Sequence, residues 1–323
     1  MKLPRRQFLR AAGAAALPAI SRTAGAQVYP TRPVRLLVGA APGGSLDILA
    51  RLMGQWLSDK LGRQFIIENR TGAGVNIATE AVVRAVPDGY TLLMVSTPNA
   101  TNATLYEKLN FVFLRDISPV ASMVSVPLVM MVHPSFPARS VSEFIAYAKA
   151  HPGINFGSSG NGSTLHVTAE MFKMMAGVNM AHVAYRGSAP MLTDLLGGQI
   201  HVAFADMPPS VEHIRTGTLR ALAVTTKERS SSLPGIPTIG DFLPGFEASA
   251  WQGIGAPKNT SAVIIEKLNK EINAGLANPV LKARLGDLGL SVLSGSPADF
   301  GKLIADETEK WGKVIRDGNI KPE

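Results

Sequence analysis

Short apolar runs of strand length alternate with apolar residues at helical spacing along most of the chain beyond residue 33. That alternation predicts βαβ units built on a mainly parallel sheet. A first strand is expected at 34–39. After the loop at 40–45, Leu46, Leu49, Leu52, Met53, Trp56, Leu57 and Leu61 keep helical spacing and stop at Gly62, a residue suited to the left-handed turn that follows a helix. Strands at 65–68 and 91–95 flank a helix at 76–85. The alternation then resumes, with strands at 126–132, 154–157, 181–185, 200–205 and 219–225 and helices at 141–150, 164–176, 189–196 and 210–215. The Ser, Pro and Gly of 230–245 read as loop. A last strand near 251–256 precedes helices at 262–277 and 297–317, with a short segment at 279–288 between them.

The chain has 323 residues, 46% of them hydrophobic and 17% charged, which predicts about two globular domains rather than a fibrous or disordered chain. A formal net charge of +8 invites a nucleic-acid reading. Lys2, Arg5, Arg6, Arg10 and Arg22 all lie in the first 26 residues, however, leaving 27 basic against 24 acidic residues scattered singly over the rest. No nucleic-acid partner is therefore expected. The N-terminal stretch combines a charged start, an Ala/Gly/Leu-rich run and the small-x-small site Ala24-Gly25-Ala26, the pattern of an export signal peptide at 1–26. Arg5-Arg6-x-Phe8-Leu9 resembles the twin-arginine motif. No later apolar run approaches the roughly 20 residues of a membrane helix, so the mature chain is not expected to be membrane-embedded. Cysteine is absent, which rules out disulfides, thiolate catalysis and Cys-ligated zinc.

Two glycine-rich loops stand out, one containing Pro42, Gly43, Gly44, Ser45 and Asp47, the other Ser158, Ser159, Gly160, Asn161, Gly162 and Ser163. Each follows a predicted strand and opens a predicted helix, where unpaired N–H groups and the helix dipole favour an anion. Neither carries the Lys of a phosphate loop or a complete dinucleotide pattern, so small carboxylates are favoured over phosphates. Further candidates follow other strands, where open α/β sheets place ligands: Thr97, Asn99, Tyr185, Arg186 and Asp206, with His166 one turn into its helix. Arg186 is suited to a ligand charge and Asp206 to a ligand amine or the facing loop. No His-Glu-x-x-His, Gly-x-Ser-x-Gly or clustered metal ligands occur, so no enzyme activity, metal or cofactor is expected.

Arg32-Pro-Val-Arg35, Ala41-Pro-Gly-Gly-x-x-Asp47, Glu68-Asn-Arg-x-Gly-Ala-Gly74, Pro87-Asp-Gly-Tyr-Thr-Leu92, Gly160-Asn-Gly-Ser163 with His166, Tyr185-Arg-Gly-Ser188, Asp194-Leu-Leu-Gly-Gly-Gln199, Leu219-Arg-Ala-Leu-Ala-Val224 and Gly318-Asn-Ile-Lys-Pro322 together resemble the Bug-type substrate-binding proteins of tripartite tricarboxylate transporters. The resemblance implies an α/β, two-domain periplasmic-binding-protein fold, a "Venus flytrap" whose second domain is inserted into the first. The expected division is 27–125 plus 251–323 for domain 1 and 126–250 for domain 2. It further implies a periplasmic receptor that closes both glycine-rich loops on a carboxylate-bearing solute and delivers it to a membrane permease. A ligand-dependent sensor docking on a membrane kinase is the alternative. Leu46, Gly39-Ala40 and Met207-Pro208-Pro209 depart from the family pattern, which shifts the expected ligand from a plain dicarboxylate or amino acid towards an aromatic or branched carboxylate or an amide.

Overall fold

The computed structural model describes residues 29–230 and 232–322, and the expected signal peptide lies outside them. Ten strands form one curled sheet in the order β2-β1-β3-β9-β4-β7-β5-β6, with β10 and β8 also bonded to β4. In chain order, β1 (Val34–Val38), α1 (Ser45–Leu61), β2 (Phe65–Asn69), α2 (Asn76–Val83), β3 (Thr91–Ser96), α3 (Thr97–Leu105) and α4 (Phe113–Asp116) lead to β4 (Ile117–Val132). Then come α5 (Val141–Ala150), β5 (Asn155–Ser158), α6 (Thr164–Ala176), β6 (Ala181–Ala184), α7 (Ser188–Leu196), β7 (Val202–Asp206), α8 (Met207–Arg215) and β8 (Arg220–Val224). The chain returns through β9 (Ser249–Pro257) to α9 (Ala262–Ala277), α10 (Pro279–Asp287), β10 (Ser291–Val292) and α11 (Pro297–Asp317).

Strand β4 divides the molecule. From Ile117 to Pro127 it pairs antiparallel with β9, and from Leu128 to Val132 with β7 and β8. Proline lacks an N–H for the ladder, and Pro127 stands where the partners change. The sequence predicted only 126–132 of this 16-residue strand, because Pro119 and the serines at 118, 122 and 125 break its apolar run. The polar stretch 97–105, to which the sequence pattern assigned no element, is α3, opened by Ser96 and Asn99 as a reciprocal cap.

Each lobe buries apolar side chains on both faces of its sheet. In the first lobe, Leu46, Leu49, Met53 and Leu57 of α1 meet Leu268, Ile272 and Leu276 of α9, which is why α1 recurs at helical spacing. In the second, Phe144, Phe156, Phe172 and Phe204 are fully buried in one cluster. Helix α11 belongs to both: Phe300 and Ile304 pack in the first lobe, whereas Trp311, Val314 and Ile315 pack with the phenylalanines of the second. At its middle, the Glu307 carboxylate accepts the indole N–H of Trp251 from β9 at 3.2 Å and of Trp311 at 2.6 Å.

Candidate functional site

Strands β1, β2 and β3 run parallel, so their C-terminal ends, and the segments after them, share one edge of the first lobe. Strands β5, β6 and β7 do the same in the second lobe. On β4, the row of Ser96 and Gln252 falls at Val124 and the row of Asp206 at Leu128. The two edges are therefore about four residues apart along a strand, on the order of 13 Å.

The first loop is held by a charge. Asp47 is 2% exposed and accepts the Gly43 N–H at 2.9 Å, Arg51 Nε and Nη2 at 2.9 and 3.0 Å, and Asn69 Nδ2 at 2.9 Å. Burial pushes this carboxyl up, but the hydrogen bonds from Arg51, Gly43 and Asn69 together outweigh it and hold it below the usual range. Gly44 caps α1 without a side chain, and the N–H groups of Ser45, Leu46 and Asp47 keep no partner among the described residues. Pro42, Gly43 and Gly44 are exposed. Ser45 Oγ accepts Gln252 Nε2 at 3.0 Å, which leaves its own proton free.

The second loop is held by neutral groups. Ser158 is fully buried, with its hydroxyl 2.6 Å from His182 Nε2 and within hydrogen-bond reach of Gly160 N and O. His166 Nδ1 accepts the Gly162 N–H at 3.1 Å, and Ser163 Oγ accepts the His166 N–H at 3.3 Å. The rings of His166 and His182 stack at 3.7 Å. Burial, then the neighbouring His166, lowers His182 to about 4. Glu170, 3.7 Å from His166 Nε2 and 2.8 Å from Lys173 Nζ, flanks the pair.

The lobes touch at this loop. Thr101 Oγ1 of α3 donates to Gly162 O at 3.0 Å, and a Cβ on Gly162, whose φ is +70°, would lie 2.1 Å from Leu105 Cδ2. Only glycine permits that approach.

Several other expected residues have their polar atoms engaged within the protein. Asn99 Oδ1 accepts the Ser96 N–H at 2.9 Å while its Nδ2 donates to Thr79 Oγ1 at 2.8 Å. Thr97 Oγ1 accepts the Trp251 N–H at 3.1 Å. The Tyr185 hydroxyl donates to Asp194 at 2.6 Å, and burial together with that carboxylate pushes it up to about 12. By contrast, the side chains of Ser159, Asn161, Arg186 and Asp206 have no partner among the described residues, and Arg186 is exposed. Gln252 was not anticipated. It is 4% exposed, with Oε1 buried and unpaired, and its only signal was a polar residue inside the apolar run of 251–256.

Each of the three departures includes a buried residue. Leu46 is 5% exposed and packs in the core under α1. Met207 is fully buried against Gly289. Gly39 opens no space, because Val75, itself at φ +72°, fills the position a Cβ would take. Two open depressions, of about 490 and 760 Å³, lie elsewhere on the first lobe, beside Asn273 and Lys282 and beside Gln55 and Arg63.

Two lobes joined by crossing strands, with glycine-rich loops at the strand ends, define a periplasmic binding protein of two-domain architecture. A model of the tripartite tricarboxylate transporter family receptor matches residues 49–320, and the chain belongs to that family. Protein BugT of Bordetella pertussis is 36% identical over 306 residues, 94% of each chain. The structure of R. palustris Rpa4515 with adipate is 36% identical, with a TM-score of 0.85, covering 91% of this chain and 100% of that one. MatC from Rhodopseudomonas palustris with bound malate is 30% identical, with a TM-score of 0.81, covering 89% and 100%. Among the described residues no helix is long and apolar enough to cross a membrane.

Proposed function

We propose that this protein is a periplasmic solute receptor that closes on a small carboxylate-bearing solute between its lobes and hands it to a tripartite tricarboxylate transporter permease. The crossing strands β4 and β9 form the floor of the cleft, with lobe boundaries at Pro127 and Ser249. The observation that carries the reading is the pair of loops at opposed strand ends, with unpaired N–H groups at the start of α1 and the unpartnered Arg186 beside the second loop. Ser45, Ser159, Asn161 and Arg186 meet the carboxylate. Asp47, Asn99, Ser158, His166 and Tyr185 give the loops their shape. The adipate and malate of the two structural relatives support the ligand class. The solute leaves chemically unchanged, and the export signal delivers the chain to the periplasm.

Thermal unfolding of refolded, ligand-free protein against mono-, di- and tricarboxylates and their amides tests the reading. A carboxylate at 100 times its Kd raises stability by about 2.7 kcal/mol, a shift of a few degrees. Stabilisation by amides as strong as by the matching acids, or by no carboxylate at all, overturns it.

A further inference from the structure

The second glycine-rich loop contains Asn161-Gly162, the one asparagine of the chain that a glycine follows. The fold requires glycine there, since φ is +70° and Leu105 occupies the place of a side chain. That requirement also leaves the Gly162 nitrogen with no side chain to shield it from the residue before. The Asn161 amide is half-buried and has no partner among the described residues, so no hydrogen bond holds it away from that nitrogen.

A base sits on the same nitrogen. His166 Nδ1 accepts the Gly162 N–H at 3.1 Å, so the neutral imidazole carries its own proton on Nε2. Nε2 faces Glu170 Oε1 at 3.7 Å, and Lys173 Nζ holds that oxygen at 2.8 Å. On its face the ring is stacked against His182 with centroids 3.7 Å apart. A weak nucleophile, a base in contact with it and a group that orients the base, taken in series, are the parts that activate nucleophiles in enzymes. Shaping the loop needs the bond from Gly162 to His166 but not the carboxylate behind the imidazole. Glu170 is only 7% exposed, a costly place for a charge that serves no purpose.

We propose that Asn161 is a self-modifying site, converted to aspartate or isoaspartate by the loop that holds it. His166 Nδ1 takes the Gly162 proton as the nitrogen bonds to Cγ of Asn161. The Cγ–Nδ2 bond breaks, the proton passes to the departing nitrogen, and ammonia leaves behind a five-membered succinimide. Water then opens the ring, at the side-chain carbonyl to give aspartate or at the main-chain carbonyl to give isoaspartate. Either product places a new carboxylate in the loop. The consequence for binding rests on the receptor reading above: an anion in this loop repels the carboxylate of the solute, so the receptor loses affinity as it ages.

The test is peptide mapping by mass spectrometry of the full mature protein, kept warm at neutral pH either folded or in denaturant. Succinimide, aspartate and isoaspartate are expected at 161 before any other asparagine reacts, and sooner in the folded protein than in denaturant. His166→Gln should slow the folded reaction about tenfold or more and leave the rate in denaturant unchanged. Glu170→Gln, which keeps the contact between His166 and Gly162, should slow the folded reaction to a smaller degree. An Asn161 that survives in the folded protein while it reacts in denaturant overturns the proposal. So does a folded rate that is the same in wild type and both variants. If His166→Gln fails to fold, Glu170→Gln decides. Calorimetric titration of Asn161→Asp with carboxylates reads the consequence, a loss of affinity being expected. Affinity equal to wild type overturns the effect on binding, whereas a wild type that binds no carboxylate removes the receptor reading and leaves the mass measurement to judge the modification.

Discussion

The two glycine-rich loops occupy equivalent places at their strand ends, but they are secured by different chemistry. The first hangs on one buried carboxylate, Asp47, with an exposed arginine as counter-ion. The second hangs on hydroxyl and imidazole groups, and it accepts a hydrogen bond from Thr101 of the facing lobe. A carboxylate held below its ordinary range stays ionised through neutral and mildly acid conditions. A buried imidazole keeps its place only while it stays uncharged. The first loop is thus a fixed half of the site, and the second is the half that senses its surroundings.

The largest effect is expected at Asp47. Asp47→Ala strands the Gly43 N–H and the Asn69 amide and removes a buried anion, costing about 3 kcal/mol in denaturant unfolding. Because the Asp47 carboxyl is held down in the folded state, its contribution is present above the unfolded value and is lost as pH falls below about 4. Wild type should therefore lose its advantage over the variant in acid, and a constant difference down to pH 2 would contradict the charge-held account. Next comes Gly162→Ala, where strain at φ +70° and overlap with Leu105 together cost about 2 kcal/mol. Adding Leu105→Ala should relieve the overlap and leave only the strain, as a double-mutant cycle would show.

A smaller effect separates the loops by pH. The His182 pKa is lowered in the folded state, so its contribution is full above the unfolded value near 6.5 and is lost as pH falls towards about 4. His182→Phe keeps a ring against His166 and should flatten stability between those values by about 1–2 kcal/mol. An unaltered slope would overturn the assignment of this acid sensitivity to His182. The smallest effect is Thr101→Val, which deletes the bond to Gly162 O and costs about 1 kcal/mol. If that bond closes the lobes, small-angle scattering of the ligand-free variant should report a larger radius, while its liganded form matches wild type.

Much of this was legible in the sequence, because most βαβ units bury one clear apolar face and end in glycine. Helices 141–150, 262–277 and 297–317 are found at those bounds. What escaped was wherever polar residues are buried. The eight-residue run Thr97-Pro-Asn-Ala-Thr-Asn-Ala-Thr104 has no apolar stripe, yet it is helix because Asn99 caps it and Asn102 reaches Asn76. The crossing strand β4 was truncated because prolines and serines hide its length. In the site, residue type identified the polar positions but not the direction in which each side chain turns. Asp47 and Asp206 both stand next to strand ends, and only the folded chain distinguishes the one bound by four donors from the one bound by none.

Helix α11 has a thermodynamic consequence. Since Trp311, Val314 and Ile315 fill the second lobe while Phe300 and Ile304 fill the first, and Glu307 ties α11 to β9 between them, neither core is complete without the C-terminal 20-odd residues. The two lobes should melt as one cooperative unit, with calorimetric and van't Hoff enthalpies in agreement. A fragment comprising only 128–248 would lack part of its own interior and would not fold alone.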